Sequence, residues 1–120
     1  MRAKDARGRQ GEAIAAEHLI GQGLIVLDRN WRCDIGEIDI VAREGDTLVI
    51  CEVKTRSSRR FGDPLEAITS AKANRLRRLA ARWVTENDVH PREIRIDLVG
   101  IVMSGSVDSP EIEFVRGAVA

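Results

Sequence analysis

Gly36-Glu37-Ile38-Asp39-Ile40-Val41-Ala42-Arg43-Glu44-Gly45-Asp46-Thr47-Leu48-Val49-Ile50-Cys51-Glu52-Val53-Lys54-Thr55-Arg56 reads as two strands around a tight turn. Its unusual feature is charge inside apolar runs: Asp39, Glu52 and Lys54. Burying an unpaired charge is costly, so each of the three needs a reason to be there. Side chains alternate faces along a strand. Leu48, Ile50, Glu52 and Lys54 therefore share one face of the second strand, and Glu37, Asp39 and Val41 share one face of the first. With Gly45-Asp46 as a two-residue loop, Glu44 pairs with Thr47. Asp39 then stands opposite Glu52, about 5 Å away between Cβ atoms, and Glu37 stands opposite Lys54. With Glu44-Gly45 as the loop, a good type I′ candidate, Asp39 is diagonal to Glu52 but on the same face.

Two carboxylates this close repel each other, and one pKa rises unless a positive charge sits between them. A divalent cation is the obvious solution. Mg²⁺ in particular favours one or two carboxylates together with water and substrate phosphate. Lys54, two residues beyond Glu52 on the same face, is placed to touch a water or a phosphate oxygen bound to such an ion.

A chain of 120 residues suffices for one compact domain, residues 1–120, with one core. Aromatics make up only 3%, so that core must be mostly Ile, Val, Leu and Ala. No apolar run approaches the roughly 20 residues of a membrane span, and the basic start of the chain is not followed by the apolar stretch of a secretory signal. Cys33 and Cys51 are too few and too far apart for a metal knuckle. Cys51 reads as a small buried hydrophobe, on the face opposite Glu52, and a reduced, cytoplasmic setting fits both thiols. Formal net charge is zero, but residues 54–82 hold nine basic and two acidic side chains, and residues 86–120 hold three basic and seven acidic. The asymmetry puts a positive region just after the candidate site, either a nucleic-acid surface or simply a solvated charged helix.

Around the hairpin, periodicity predicts a helix from about Arg7 to Gln22, stopped by Gly21 and Gly23. Glu12, Ala15, Ala16, Leu19 and Ile20 fall on one side of it. Glu12 is then either an edge glutamate reaching water or a third carboxylate aimed at the site. Leu24 to Trp31 reads as a strand covered on both faces. The polar segment 56–63, with Arg56, Arg59, Arg60 and Phe61, is a candidate substrate-gripping loop. Asp63-Pro64-Leu65-Glu66 resembles a capping box opening a short helical turn. A second long helix is expected from a Ser70 cap to about Glu86, with Leu76, Leu79, Ala80, Trp83 and Val84 as its apolar stripe and Arg75, Arg78 and Arg82 on one flank. Lys72 falls on the stripe side in the first turn, either snorkelling to water or contacting phosphate. Glu93 to Met103 is the fourth strand, interrupted by Asp97, which caps a neighbouring group, faces solvent or, as the lesser alternative, serves the site. Glu111 to Val115 is an edge strand with Ile112 and Phe114 inward. His18 and His90 have no partner at ligand spacing and read as surface residues.

The order helix, three-strand meander, helix, strand, with an acid on strand two and Glu-Val-Lys on strand three, resembles the restriction-endonuclease-like α/β fold of the PD-(D/E)xK nucleases: a mixed central sheet flanked by helices. Gly8 to Glu12, Asn30-Trp31-Arg32, Gly36 to Asp39, Glu52 to Arg56, Phe61 to Pro64, and Glu66-Ala67-Ile68 with Lys72 look more closely like the YraN-like family of small bacterial proteins, itself similar to archaeal Holliday-junction resolvases. The resemblance implies a metal-dependent nuclease hydrolysing DNA phosphodiester bonds, on branched or flapped DNA among other forms. The alternative is a non-catalytic nucleic-acid-binding module using the same basic surface. By the resemblance, Asp39 and Glu52 bind Mg²⁺ or Mn²⁺ with the backbone carbonyl of Val53, Lys54 orients or helps activate the attacking water, and Glu12 fills the upstream acidic position. Arg56, Arg59, Arg60, Lys72 and Arg75 are the expected nucleic-acid contacts, and a homodimer, as resolvases form to cut two strands, is an open expectation. The classical proline before the aspartate is replaced by Ile38.

Overall fold

The computed structural model describes residues 6–57, 68–103 and 110–119. The elements follow the expected order: α1 (Ala6–Gly21), β1 (Ile25–Arg32), β2 (Glu37–Glu44), β3 (Thr47–Arg56), α2 (Ser70–Asn87), β4 (Glu93–Val102) and β5 (Glu111–Val115). The five strands form one sheet in chain order. β1, β2 and β3 are an antiparallel meander. β4 runs parallel to β3 after the α2 crossover, and β5 returns antiparallel to β4. The architecture is mixed α/β, compatible with a restriction-endonuclease-like core.

Glu44 pairs with Thr47, so Gly45-Asp46 is the hairpin loop, with Gly45 at φ +61°, a conformation that suits glycine. Alternation then sorts the two strands between two cores. Ala42, Val49 and Cys51 pack beneath α1 with Ala15, Ala16 and Leu19. Val41, Leu48 and Ile50 pack beneath α2 with Leu76, Leu79 and Trp83. Ile40 lies in the first core while Ile38 lies in the second, so strict alternation slips at Asp39. Cys51 is fully buried, as its face demands.

α1 approaches β3 closely: a Cβ on Gly11 would collide with the Thr55 hydroxyl. The α2 cap falls one residue earlier than expected. Thr69, not Ser70, is the N-cap, and its hydroxyl accepts the Lys72 N–H at 3.2 Å. Two apolar expectations fail. Ile20 is exposed on α1, and Ile25 and Leu27 are exposed on β1. β1 is an edge strand, with Ile25 and Leu27 open to solvent rather than covered on both faces.

The far side of the sheet is tied by an ionic clasp. Asp97, fully buried on β4, accepts from Arg95 Nε and Nη2, both at 2.8 Å, and from the Gly117 N–H at 2.8 Å. Arg95 also donates to Glu44 at 2.8 Å, and Arg116 reaches the same carboxylate at 2.9 Å. Asp97 is therefore a cap, and the solvent-facing alternative is excluded. His18 is half-buried rather than a free surface group, edge-on to Phe114 with ring centroids 6.0 Å apart.

Candidate metal centre

The β2–β3 ladder ends at Ile40–Cys51. The next residues in register are Asp39 and Glu52, so the hairpin delivers both acids to the same row of the sheet. Beyond the ladder the Asp39 side chain takes over from backbone: its Oδ2 accepts the Val53 N–H at 2.9 Å. Both carboxylates are buried. Glu37 does not reach Lys54 as expected. It belongs to the β1 side, pairing with Arg32 and accepting from its Nε at 2.8 Å.

The electrostatics are those of two buried acids in contact, with Lys54 and Lys72 beside them. Burial, a hydrogen bond with Asp39 and the Asp39 charge push Glu52 up to about 7, against the opposing pull of Lys72. Lys72 Nζ lies 2.8 Å from Glu52 Oε2. Burial and the neighbouring Lys72 amine hold Lys54 below the usual lysine range. Lys72 is moved the other way: burial opposes its charge, but the Glu52 carboxylate outweighs it. One strand face and the first turn of α2 thus bring together Asp39, Glu52, Lys54 and Lys72.

The donor set suits a hard divalent cation: two carboxylates in mutual contact, with Glu52 raised by burial and by its Asp39 neighbour. Among the described residues no group of three or more His, Cys, Asp or Glu stands ready to hold a metal, so the protein would supply a carboxylate pair and leave the rest of the shell to backbone, water and phosphate. Glu12 is buried on α1, next to the Gly11 turn that presses on Thr55. That contact puts it near the end of β3, and it is not an edge glutamate reaching water.

The expected nucleic-acid contacts separate. Lys72 is first a partner of Glu52, a role that its position in the first turn of α2 hinted at without specifying. Arg56 follows Lys54 on β3, with its buried Nε unpartnered among the described residues. Arg75 lies over the start of β2, where a Cβ on Gly36 would come within 3.6 Å of its Cδ. Arg59, Arg60, Phe61 and the Asp63–Glu66 capping box lie outside the described residues. Sequence reasoning missed the Asp39–Val53 backbone bond and the Arg82–Asp34 pair at 2.9 Å, which ties α2 to the β1–β2 connection. No local pattern marks either.

The sheet order and the hairpin register define a mixed α/β protein, compatible with a restriction-endonuclease-like core. The chain matches the model described as "Uncharacterised protein family UPF0102" over residues 11–101, and it belongs to that YraN-like family. It is 59% identical over 114 residues to a UPF0102 protein of Nocardioides sp. (strain ATCC BAA-499 / JS614), covering 95% of this chain and 91% of the relative. It is 55% identical over 117 residues to one from Beutenbergia cavernae, covering 98% of both chains. A Streptomyces coelicolor UPF0102 protein is 53% identical over 119 residues, covering 98% of this chain and 91% of its own length.

Proposed function

We propose that this protein is a metal-dependent nuclease that hydrolyses DNA phosphodiester bonds, with branched or flapped DNA as the first substrates to try. The observation that carries the reading is the buried Asp39–Glu52 pair with Lys54 on the same strand, where burial, then the hydrogen bond with Asp39 and its charge, hold Glu52 at about 7. Mg²⁺ or Mn²⁺ bound by Asp39, Glu52 and the Val53 carbonyl would lower the pKa of a water and offset charge building on the phosphate.

The chain's own residues have separable tasks. The Val53 N–H fixes the Asp39 carboxylate, so one ligand is pre-oriented. Glu52 must lose its shared proton to act as a ligand, which ties activity to pH. Lys54, with its lowered pKa, orients the attacking water or steadies a phosphate oxygen. Lys72 favours the charged form of Glu52 against burial and Asp39, and adds a second cationic group to the same small space. Glu12, buried on α1, would fill the upstream acidic position. Arg56 and Arg75, with Arg59 and Arg60, would grip the flanking phosphates.

A second reading is favoured by one observation: the carboxylate pair and Lys72 already satisfy one another, and no third acid joins them among the described residues. On that reading the protein binds nucleic acid without cutting it. The setting proposed in either case is the cytoplasm, with a homodimer as the form able to act on two strands. No helix among the described residues is long and apolar enough to cross a membrane, and Cys33 and Cys51 are both free thiols.

The deciding experiment incubates the protein with linear, single-stranded, flapped and branched DNA in Mg²⁺, Mn²⁺ or EDTA. Cleavage with either ion, lost in Asp39→Ala, Glu52→Ala and Lys54→Ala, is the expected result. Salt-dependent binding to all four DNAs with cleavage of none supports the binding module instead.

A further inference from the structure

At the other end of α2 from the candidate metal centre lies an open cavity of about 530 Å³. Its apolar wall is Leu27 of β1, Leu48 of β3, Trp83 of α2 and Val89 just beyond the helix. Two arginines line the same cavity, Arg43 at the end of β2 and Arg92 before β4, against a single acid, Asp46. Both arginines are exposed and enter no ion pair among the described residues. The walls are fixed to one another. The Arg92 N–H donates to the Asp46 carbonyl at 3.1 Å, and Trp83 Nε1 donates to Asp28 at 3.0 Å. A pre-formed pocket of this size with an apolar wall and a few convergent polar groups has the ordinary form of a small-ligand site.

We infer that this cavity binds a nucleotide, with the planar base against the Leu27–Leu48–Trp83–Val89 wall and the phosphate on Arg43 and Arg92. An apolar wall alone would take any hydrophobe. Two lining guanidiniums with no ion pair among the described residues select a ligand whose flat apolar part carries an adjacent anion. The nucleotide has two sources, a free mononucleotide or one residue of a DNA strand. The second source rests on the nuclease reading above and fits the geometry: Lys72 and Trp83 are roughly 16 Å apart along α2 at 1.5 Å per residue. Arg75 and Arg78 stand exposed between them, a path along which a strand can run from the cavity to the carboxylate pair.

Trp83 and Trp31 are the two tryptophans of the chain, so Trp31→Phe leaves Trp83 as the sole fluorescent reporter on the cavity wall. This protein is titrated in EDTA, where no cleavage occurs, with deoxyadenosine 5′-monophosphate, with ribose 5-phosphate and with a dodecamer of deoxyadenosine. The expected result is saturable quenching by the mononucleotide or the dodecamer, with ribose 5-phosphate binding at least tenfold more weakly. The Arg43→Ala/Arg92→Ala variant, altered only at exposed positions, should weaken the binding tenfold or more. Quenching by the mononucleotide assigns the site to free nucleotides, and quenching by the dodecamer alone assigns it to a strand. No saturable quenching by either, or equal binding by the double variant, overturns the inference. A protein that binds in this way but cuts no DNA in Mg²⁺ or Mn²⁺ keeps the cavity assignment and loses the nuclease reading.

Discussion

Two clusters of buried or half-buried acids sit on one sheet, and they are built on opposite principles. In the clasp, Glu44 and Asp97 face two arginines and a backbone N–H. Hydrogen bonds from Arg116 and then Arg95, working against partial burial, hold Glu44 down to about 2. In the candidate metal centre, Asp39 and Glu52 face one another, and burial with the mutual contact holds Glu52 up to about 7. A cluster that serves only the fold satisfies its charges with the protein's own cations. A cluster whose buried acids touch one another, and whose Glu52 stays raised even with Lys54 and Lys72 beside it, is where a ligand is expected, because a divalent ion would favour both charged carboxylates at once.

The contrast can be broken in graded ways. The largest effect belongs to the site: Asp39→Ala should cost at least a thousandfold in DNA cleavage, about 4 kcal/mol of transition-state stabilisation. Its circular dichroism spectrum should match the parent's. Next comes the clasp. Asp97→Ala strands the Arg95 guanidinium and the Gly117 N–H, and should lower stability by about 3 kcal/mol in urea titration while leaving cleavage unchanged.

The third effect is a pH dependence. Glu52 releases its proton near 4.5 when unfolded and near 7 when folded. Between those values the folded chain binds more protons, so this group makes stability fall as pH rises through the window. Glu52→Gln should therefore be more stable than the parent at pH 8, by on the order of 2 kcal/mol, and similar to it at pH 5. Because ligation needs the deprotonated carboxylate, Mn²⁺ affinity should rise from pH 6 to pH 8 in the parent protein. The smallest effect is Glu44→Gln, a partly exposed member of the clasp, at about 1 kcal/mol or less near neutral pH. Its own contribution is present above pH 4.5 and fades as pH falls towards 2.

The sequence exposes the parts of this comparison unequally. The meander, the hairpin loop and the shared face of Glu52 and Lys54 follow from a period of two and one glycine turn, which are local facts. Asp97 is visible as a charge in an apolar run, but its partners Glu44 and Gly117 are distant in the chain, so its role is not. The covered reading of β1 fails because a four-residue apolar run looks the same at a sheet edge as at its centre, and only strand order separates them. Glu37 misleads because the register continues on paper past the point where β2 leaves β3. Lys72 is placed correctly by the helical wheel, yet its contact with Glu52 depends on how α2 lies across the sheet, which no periodicity encodes.

The central claim is that Asp39 and Glu52 together hold a divalent cation. Anomalous diffraction from a crystal soaked in Mn²⁺ at pH 8 tests it directly. The account predicts a peak about 2.0–2.3 Å from a carboxylate oxygen of each residue. No peak there at saturating Mn²⁺, with Lys72 still paired to Glu52, would contradict it.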